Sequence, residues 1–464
     1  MAEPQTAAAP RAAITPARLV AWASLTFGTV LCFLVPPFMV ADEPAHFFRA
    51  YALSRGQAGA ERRPEGAGAV LPASLGQLVD ELWTGLPGHP ERKVDPRAIR
   101  RALGKPLQPE RTTFLDYRTA ALYPFVPYLP QAAGLALGRL VGATPLAGFY
   151  LARLVNLAAG TLLLLLAIRQ LPACRWLAAM AAVAPMALTS RASVSADAMV
   201  VGAAFVLVAT AAKLALAPAA EIRRRDHALL LAAAVILCLT KPPYALLALA
   251  PCIVARERWP HGRRRWAFAA AYVAAVVLAT GLALGTALSR DLSIRPGAPV
   301  DREAQMRDAV REPLRVAKIV AADVIAHGPR YAVQLVGIQL GWLDTRLPWW
   351  LVEGYLLILA ALLLLDAGPP SALGWGQRTW LAALVATSAL AIIASQYMIF
   401  TPHRADFVEG VQGRYFLPLV PAAALALHRP RRAGPPAALP WLLAAWTGLA
   451  LAVTLRAIVR RYYG

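Results

Sequence analysis

The sequence predicts an all-α polytopic membrane protein. Of its 464 residues, 58% are hydrophobic and 16% charged, the mean hydropathy is +0.51, and long apolar runs recur along the chain. A bilayer core of about 30 Å needs about 20 apolar residues in a helix, and the runs meet that length repeatedly. A soluble globular chain and a disordered one both need far more polar residues, so both classes are excluded.

Runs at 19–40, 147–168, 172–189, 198–217, 266–288, 350–365, 380–400, 415–428 and 438–456 read as spans. The stretch 228–255 is apolar but interrupted by Thr240-Lys241-Pro242-Pro243-Tyr244. Consecutive prolines remove backbone donors and clash with the preceding turn, so two short antiparallel half-spans fit it better than one helix. Tyr123–Val141 is long enough to cross but carries three prolines and Arg139.

Orientation decides that segment. If it crosses, the clusters Arg223–Arg225 and Arg256–Arg265 fall outside, against the positive-inside rule. If it does not, 16 arginines share the N-terminal side: Arg11 and Arg18, Arg169 and Arg175, the same two clusters, Arg378, Arg429, Arg431 and Arg432. The segment is therefore placed as an external juxtamembrane or re-entrant helix pair. Eleven passes result, with the N-terminus inside and the C-terminus outside; Arg456, Arg460 and Arg461 then lie outside, the one departure. Arg11 and Arg18 precede the first run as in a secretory signal, but the run ends in Val35-Pro36-Pro37 without a small-residue cleavage site and reads as an uncleaved span.

No repeat or linker divides the chain, so 1–464 reads as a single transmembrane domain. Two external loops are long, at 41–146 and 289–349. The first has Gly/Pro/Arg-rich stretches at Gly56–Gly68 and Gly85–Pro109 that read as irregular. In the second, Met306, Val310, Leu314, Ala317, Ala321 and Val324 recur at helical spacing, the mark of an amphipathic helix on the membrane surface or against another helix.

The net charge of +21 suggests nucleic acid at first. Five of the 47 basic residues are lysine, and with heavy Ala and Pro usage this reflects high-GC coding as much as any partner. The 16 orienting arginines account for most of the excess, and no nucleic acid is needed. Cys32, Cys174, Cys238 and Cys252 stand singly in apolar stretches, without CxxC spacing, and read as core residues.

The sharpest chemical feature is Asp42-Glu43-Pro44-Ala45-His46-Phe47-Phe48-Arg49 at the external end of the first span. A carboxylate beside a low-dielectric phase loses hydration and becomes a better base than one in bulk water. Helix capping by Asp42, with Glu43 favouring the dipole, is the competing reading. His46 and Arg49 follow at helical spacing and can face the same pocket, or pair with the acids. In the short external connections the cations are Arg191, Lys241, Arg404 and Arg414, each opposing the orientation bias. Asp197 reads as a helix cap. Asp344 precedes a span, with Trp342, Trp349 and Trp350 near it in sequence. No GxxxxGK[ST], GxGxxG after a strand, HExxH or GxSxG occurs, and the histidines, among them His46, His89, His261 and His327, are scattered.

Val35-Pro36-Pro37, Asp42–Phe47, Ala152-Arg153-Leu154-Val155-Asn156, Ser193–Ala198, Lys241-Pro242-Pro243-Tyr244, Gly341-Trp342-Leu343-Asp344 and Gly413–Pro418, in this order, resemble the bacterial membrane-protein family catalogued as domain of unknown function 2142. That family is similar in turn to the GT-C superfamily of membrane glycosyltransferases, whose donors are polyprenyl-phosphate-linked sugars. The resemblance implies a GT-C-like helical bundle in the bacterial inner membrane. It implies sugar transfer on the external face to a polysaccharide, glycolipid or protein acceptor.

On this resemblance Asp42 and Glu43 match the superfamily's acidic pair, Tyr123–Leu140 its juxtamembrane helices, and Arg414 with Tyr415 its Arg-Tyr motif. Asp42 is then the base, and Glu43 orients the acceptor or, with Asp42, holds a divalent ion such as Mg or Mn. Arg414 ranks first as phosphate ligand, then Lys241, then Arg404 and Arg191. His46, Arg49 and Tyr415 complete the substrate site, and Asp344 binds sugar hydroxyls. A transporter or flippase for a lipid-linked or polar substrate is one alternative. It is disfavoured because the charges sit at span ends and the halves are unlike. A non-catalytic partner in polysaccharide assembly is the other.

Overall fold

A computed structural model of the chain describes residues 14–260, 262–288, 300–368, 373–429 and 435–464. Arg11, His261, Arg431, Arg432 and the start of the second loop lie outside these. The described residues are mostly helical, and six helices have the length and apolarity to cross a membrane: Pro16–Leu34, Pro145–Gln170, Asp197–Leu216, Arg263–Leu288, Trp375–Ile399 and Leu439–Tyr462. Pro242–Ile253, Trp349–Leu365 and Gly413–Leu427 are apolar but shorter. Among the described residues, any passes beyond these six rest on the shorter apolar helices.

Proline explains where the expected spans shorten. The run 172–189 forms two helices, Arg175–Val183 and Pro185–Arg191, because Pro185 has no N–H to continue the first and fits the first turn of the second. The run 228–255 divides where read: Arg224–Cys238 is α-helical, and a 3₁₀ segment, Pro242–Ile253, follows the break. Within Tyr123–Val141 the chain makes a 3₁₀ turn, Val126–Tyr128, and a helix, Leu129–Leu140. At 12 residues that helix is about 18 Å long, too short to cross.

The first loop departs from the all-α expectation. Its glycine-rich part forms a three-stranded antiparallel sheet, Glu61–Arg63, Gly66–Pro72 and Thr112–Asp116, with the second strand in the middle. Gly68 allows this pairing, since a Cβ there would collide with the Leu115 carbonyl. Helices Ala73–Trp83 and Pro96–Leu103 complete the lobe. Its core of Phe47, Tyr51, Leu71, Leu75, Tyr117 and Phe149 is separate from the core between the long helices. In the second loop Pro313 divides the amphipathic stretch into Arg302–Arg311 and Pro313–Val336. Val316, Ile319, Val320 and Asp323 pack inward, leaving Met306, Val310, Leu314, Ala317, Ala321 and Val324 exposed.

The two ends of the bundle differ in chemistry. At one end Arg18, Arg169 and Arg175 border a common cavity, and Asp366 accepts the Trp176 and Leu177 amides. There too Arg378 donates to the Ala426 and His428 carbonyls, and Arg258 donates to the Ala217 carbonyl. Asp197–Leu216 runs from that end for about 30 Å to the other, where Asp197 meets Lys241 and Arg414. The C-terminus of the last helix lies at this second end, because the Val94 amide donates to the Tyr462 carbonyl and Lys93 Nζ to the Arg460 carbonyl.

Candidate functional site

After Pro36-Pro37 the chain turns sharply, and Asp42 adopts the left-handed conformation (φ 63°, ψ 5°). For a residue with a Cβ this costs about 1–2 kcal/mol, and Asp is among the few that tolerate it. Asp42 holds the position before the helix Glu43–Ser54, yet its side chain makes no capping hydrogen bond. The carboxylate instead faces a cavity of about 200 Å³ and is 38% exposed.

Neighbouring residues at a helix start point in different directions, and the acidic pair is separated accordingly. Glu43 is fully buried and turned inward. Its two oxygens accept Arg153 Nε at 2.8 Å and Nη2 at 2.7 Å, and Oε1 also accepts the Val194 amide at 2.9 Å. Arg153 spends its remaining donors on the Cys32, Val35 and Pro36 carbonyls at the end of the first span. Glu43 therefore lines no part of the cavity, which corrects its reading as a substrate or metal group. With Glu43 withdrawn, the other carboxylate of the cavity is Asp197, which is paired with Lys241 and lies beside Arg414. Among the described residues no three His, Cys, Asp or Glu side chains converge as ligands. The donor set fits no metal, and no step below uses one.

One helical turn further, Asn156 Nδ2 donates to the Ser193 and Ser195 carbonyls, and Gln131 Nε2 to Ser195 as well. These bonds fix the turn that starts the helix of Asp197. Asp197 does not cap that helix, contrary to the sequence reading; it meets Lys241 Nζ at 2.8 Å and Arg414 Nε at 3.6 Å. Lys241 stands at the break before Pro242, its ammonium over the rings of Tyr123 (5.0 Å) and Tyr415 (5.4 Å). Burial opposes its charge, but Asp197 beside it holds the ammonium well above the ordinary lysine range.

Arg414 lies 3.7 Å from Asp42 and 3.6 Å from Asp197. Neither contact is a hydrogen bond, and its buried Nε has no hydrogen-bond partner in the described structure. Gly413 permits this placement, because a Cβ there would strike the Tyr331 carbonyl and Gln334. His46 lines the same cavity and shares a 2.9 Å hydrogen bond with the Tyr128 hydroxyl. Burial pushes its pKa down to about 4, so the imidazole is neutral at pH 7.

A second cavity of about 390 Å³ adjoins the first and shares Tyr123, Lys241, Gln396 and Tyr415 with it. Its other walls are mostly apolar, with Pro242, Pro243, Leu284, Leu288, Met306 and Met398 among them, and Arg302 and Ser395 are the polar exceptions.

Asp42, His46, Lys241, Arg414 and Tyr415 are thus brought together, and besides Glu43 four other expected residues are not. Arg49 is buried against Tyr117 and Tyr128 and donates to the Ala58 carbonyl. Asp344 pairs with Arg461 at 2.6 Å on the far side of a hairpin. Arg404 is 59% exposed beside Glu312. Arg191 is buried inside the bundle, donating to the Ala182 carbonyl and Ser24 Oγ. Arg153 and Asp197 are the residues whose part the sequence did not reveal; an arginine inside an apolar span was the available signal for the first.

A family model described as a predicted membrane protein matches residues 25–423, nearly the whole bundle and both loops. The chain belongs to the DUF2142 family. No curated protein and no solved structure matches it.

Proposed function

We propose that this DUF2142 protein is a membrane glycosyltransferase that takes a sugar from a polyprenyl-phosphate donor and passes it to a cell-envelope acceptor. One observation carries the reading. An apolar cavity and a charged one meet at Lys241 and Tyr415, the shape required by a ligand with a long hydrocarbon tail and a phosphate head. The tail lies along Leu284, Met306 and Met398, and the phosphate meets Lys241 and Arg414, whose donors suit an oxyanion.

Asp42 is the base. The acceptor hydroxyl oxygen attacks the anomeric carbon as the bond from that carbon to the phosphate oxygen breaks. The hydroxyl proton passes to the Asp42 carboxylate, and the electron pair of the broken bond stays on the phosphate, beside Lys241 and Arg414. The site faces the external side of the inner membrane, opposite the arginine-rich ends, in keeping with the positive-inside rule.

A photoactivatable short-chain polyprenyl phosphate tests the reading on detergent-purified protein. Labelling is expected at Leu284, Met306 or Met398 and is lost in Lys241→Met and Arg414→Met. Labelling outside this cavity, or labelling that both variants retain, overturns it.

A further inference from the structure

The last helix ends in three arginines that the positive-inside rule places on the wrong side. Arg461 has a structural task, since it pairs with Asp344 and donates to the Arg92 and Leu86 carbonyls. Arg456 and Arg460 have none: both are exposed, one turn apart, with no ion-pair partner among the described residues. With Val453 and Ala457 they form one stripe of the helix, and that stripe faces an open groove of about 1040 Å³. Lys93 and Arg346 line the same groove, so five cations border it against the single carboxylate of Asp344. An uncompensated positive groove beside a membrane concentrates anions.

The groove adjoins the charged cavity of Asp42. Trp342 and Leu343 line both, at the tip of the hairpin formed by Gln339–Leu340 and Thr345–Arg346. Left-handed Gly341 and Leu343 tighten this turn, and a Cβ on Gly341 would meet the Tyr462 hydroxyl and the Met39 carbonyl. Trp342 Nε1 donates to the Phe38 carbonyl, which fixes the tip beside the turn that carries Asp42. A molecule lying in the groove therefore reaches the Asp42 cavity past one residue pair. Trp342 and Trp350 supply flat faces for pyranose rings, while arginine forks match carboxylate and phosphate oxygens.

The geometry points to this groove as the binding site of the acceptor, and to an acceptor that is an anionic saccharide bearing carboxylate or phosphate groups. The inference rests on the glycosyltransferase reading for the word acceptor, and on the groove alone for the anionic saccharide.

The test uses the full chain in phosphatidylcholine nanodiscs and three probes: a galacturonic acid hexamer, maltohexaose as its neutral counterpart, and farnesyl phosphate for the donor cavity. The hexagalacturonate is expected to bind at least about tenfold more tightly than maltohexaose. The double variant Arg456→Gln/Arg460→Gln should lose about that factor while farnesyl phosphate binding stays unchanged. Absence of hexagalacturonate binding, equal binding of the two saccharides, or equal binding by the variant overturns the proposal. So does displacement of the hexagalacturonate in nanodiscs enriched in phosphatidylglycerol, which assigns the groove to lipid headgroups. Farnesyl phosphate that fails to bind, or binds Lys241→Met as well as wild type, counts against the donor reading and leaves the groove result standing.

Discussion

Replacing Glu43 by glutamine should destabilise the protein severely, whereas replacing its neighbour Asp42 by asparagine should leave stability almost unchanged. Glu43 compensates a fully buried guanidinium through contacts of 2.8 and 2.7 Å, and it accepts the Val194 amide. Glutamine keeps the shape but loses the charge, leaving Arg153 buried among carbonyls with no counterion. Breaking a buried pair in this way costs about 3–5 kcal/mol, against a typical total stability of about 5–15 kcal/mol. Asp42 is part-exposed, makes no capping bond, and has a backbone conformation that asparagine adopts as readily. Its substitution should stay within about 0.5 kcal/mol. Thermal unfolding of detergent-purified variants, followed by tryptophan fluorescence, reads both effects. A third variant, Glu43→Leu with Arg153→Met, removes both charges and should recover most of the loss. In vesicles supplied with a polyprenyl-phosphate sugar the order reverses, and Asp42→Asn should lose a factor of about 10²–10⁴ in transfer. A Glu43→Gln protein that melts with wild type refutes the structural assignment, and full transfer by Asp42→Asn refutes the base.

Three further outcomes are expected. Lys241→Met strands Asp197 in the cavity and should weaken farnesyl phosphate binding by about 10–100-fold in a direct titration, with Lys241→Arg recovering part of it. Gly413→Ala forces the Arg414 turn away from Tyr331 and Gln334, so donor binding and folding stability should fall together by about 1–3 kcal/mol, read by titration and thermal unfolding; an unchanged protein would show that the turn is free to move. For His46 the folded pKa of about 4 lies below the ordinary 6.5, so the unfolded chain binds more protons between them. Its contribution is intact above pH 6.5 and is lost as pH falls toward 4, by about 3 kcal/mol in all. Asp42, Asp197, Lys241 and Arg414 face it, and comparing wild type with His46→Asn in denaturant titrations from pH 7 to 4 isolates its share from theirs.

The breaks in the membrane helices were legible because proline acts locally: the interruption at Lys241-Pro242-Pro243 and the short helix after Tyr128 stand where the residues require. The sheet in the first loop was not, because its strands are glycine- and arginine-rich and hold together through pairing between residues about 45 apart, such as Val70 with Phe114. Within the site, Asp42, Lys241 and Arg414, singled out by charge at a span end, all line the cavity. The same rule included Glu43, Arg191 and Arg404, because sequence gives the depth of a residue and not the direction in which it points. Asp197 looked like a cap for the same reason: its partners come from segments 44 and 217 residues away.

The charged residues lining the small cavity are two carboxylates, Asp42 and Asp197, and two cations, Lys241 and Arg414, with His46 uncharged at pH 7. Empty, that set sums to zero. An arriving phosphate must therefore compete with resident carboxylates for each cation it uses. In the proposed reaction the competition resolves itself in time. When Asp42 takes the acceptor proton it gives up its claim on Arg414, and it does so at the step in which the departing phosphate gains a full oxyanion. Proton capture at one edge of the cavity and charge build-up at the other then become a single exchange, with Arg414 handed from the base to the leaving group.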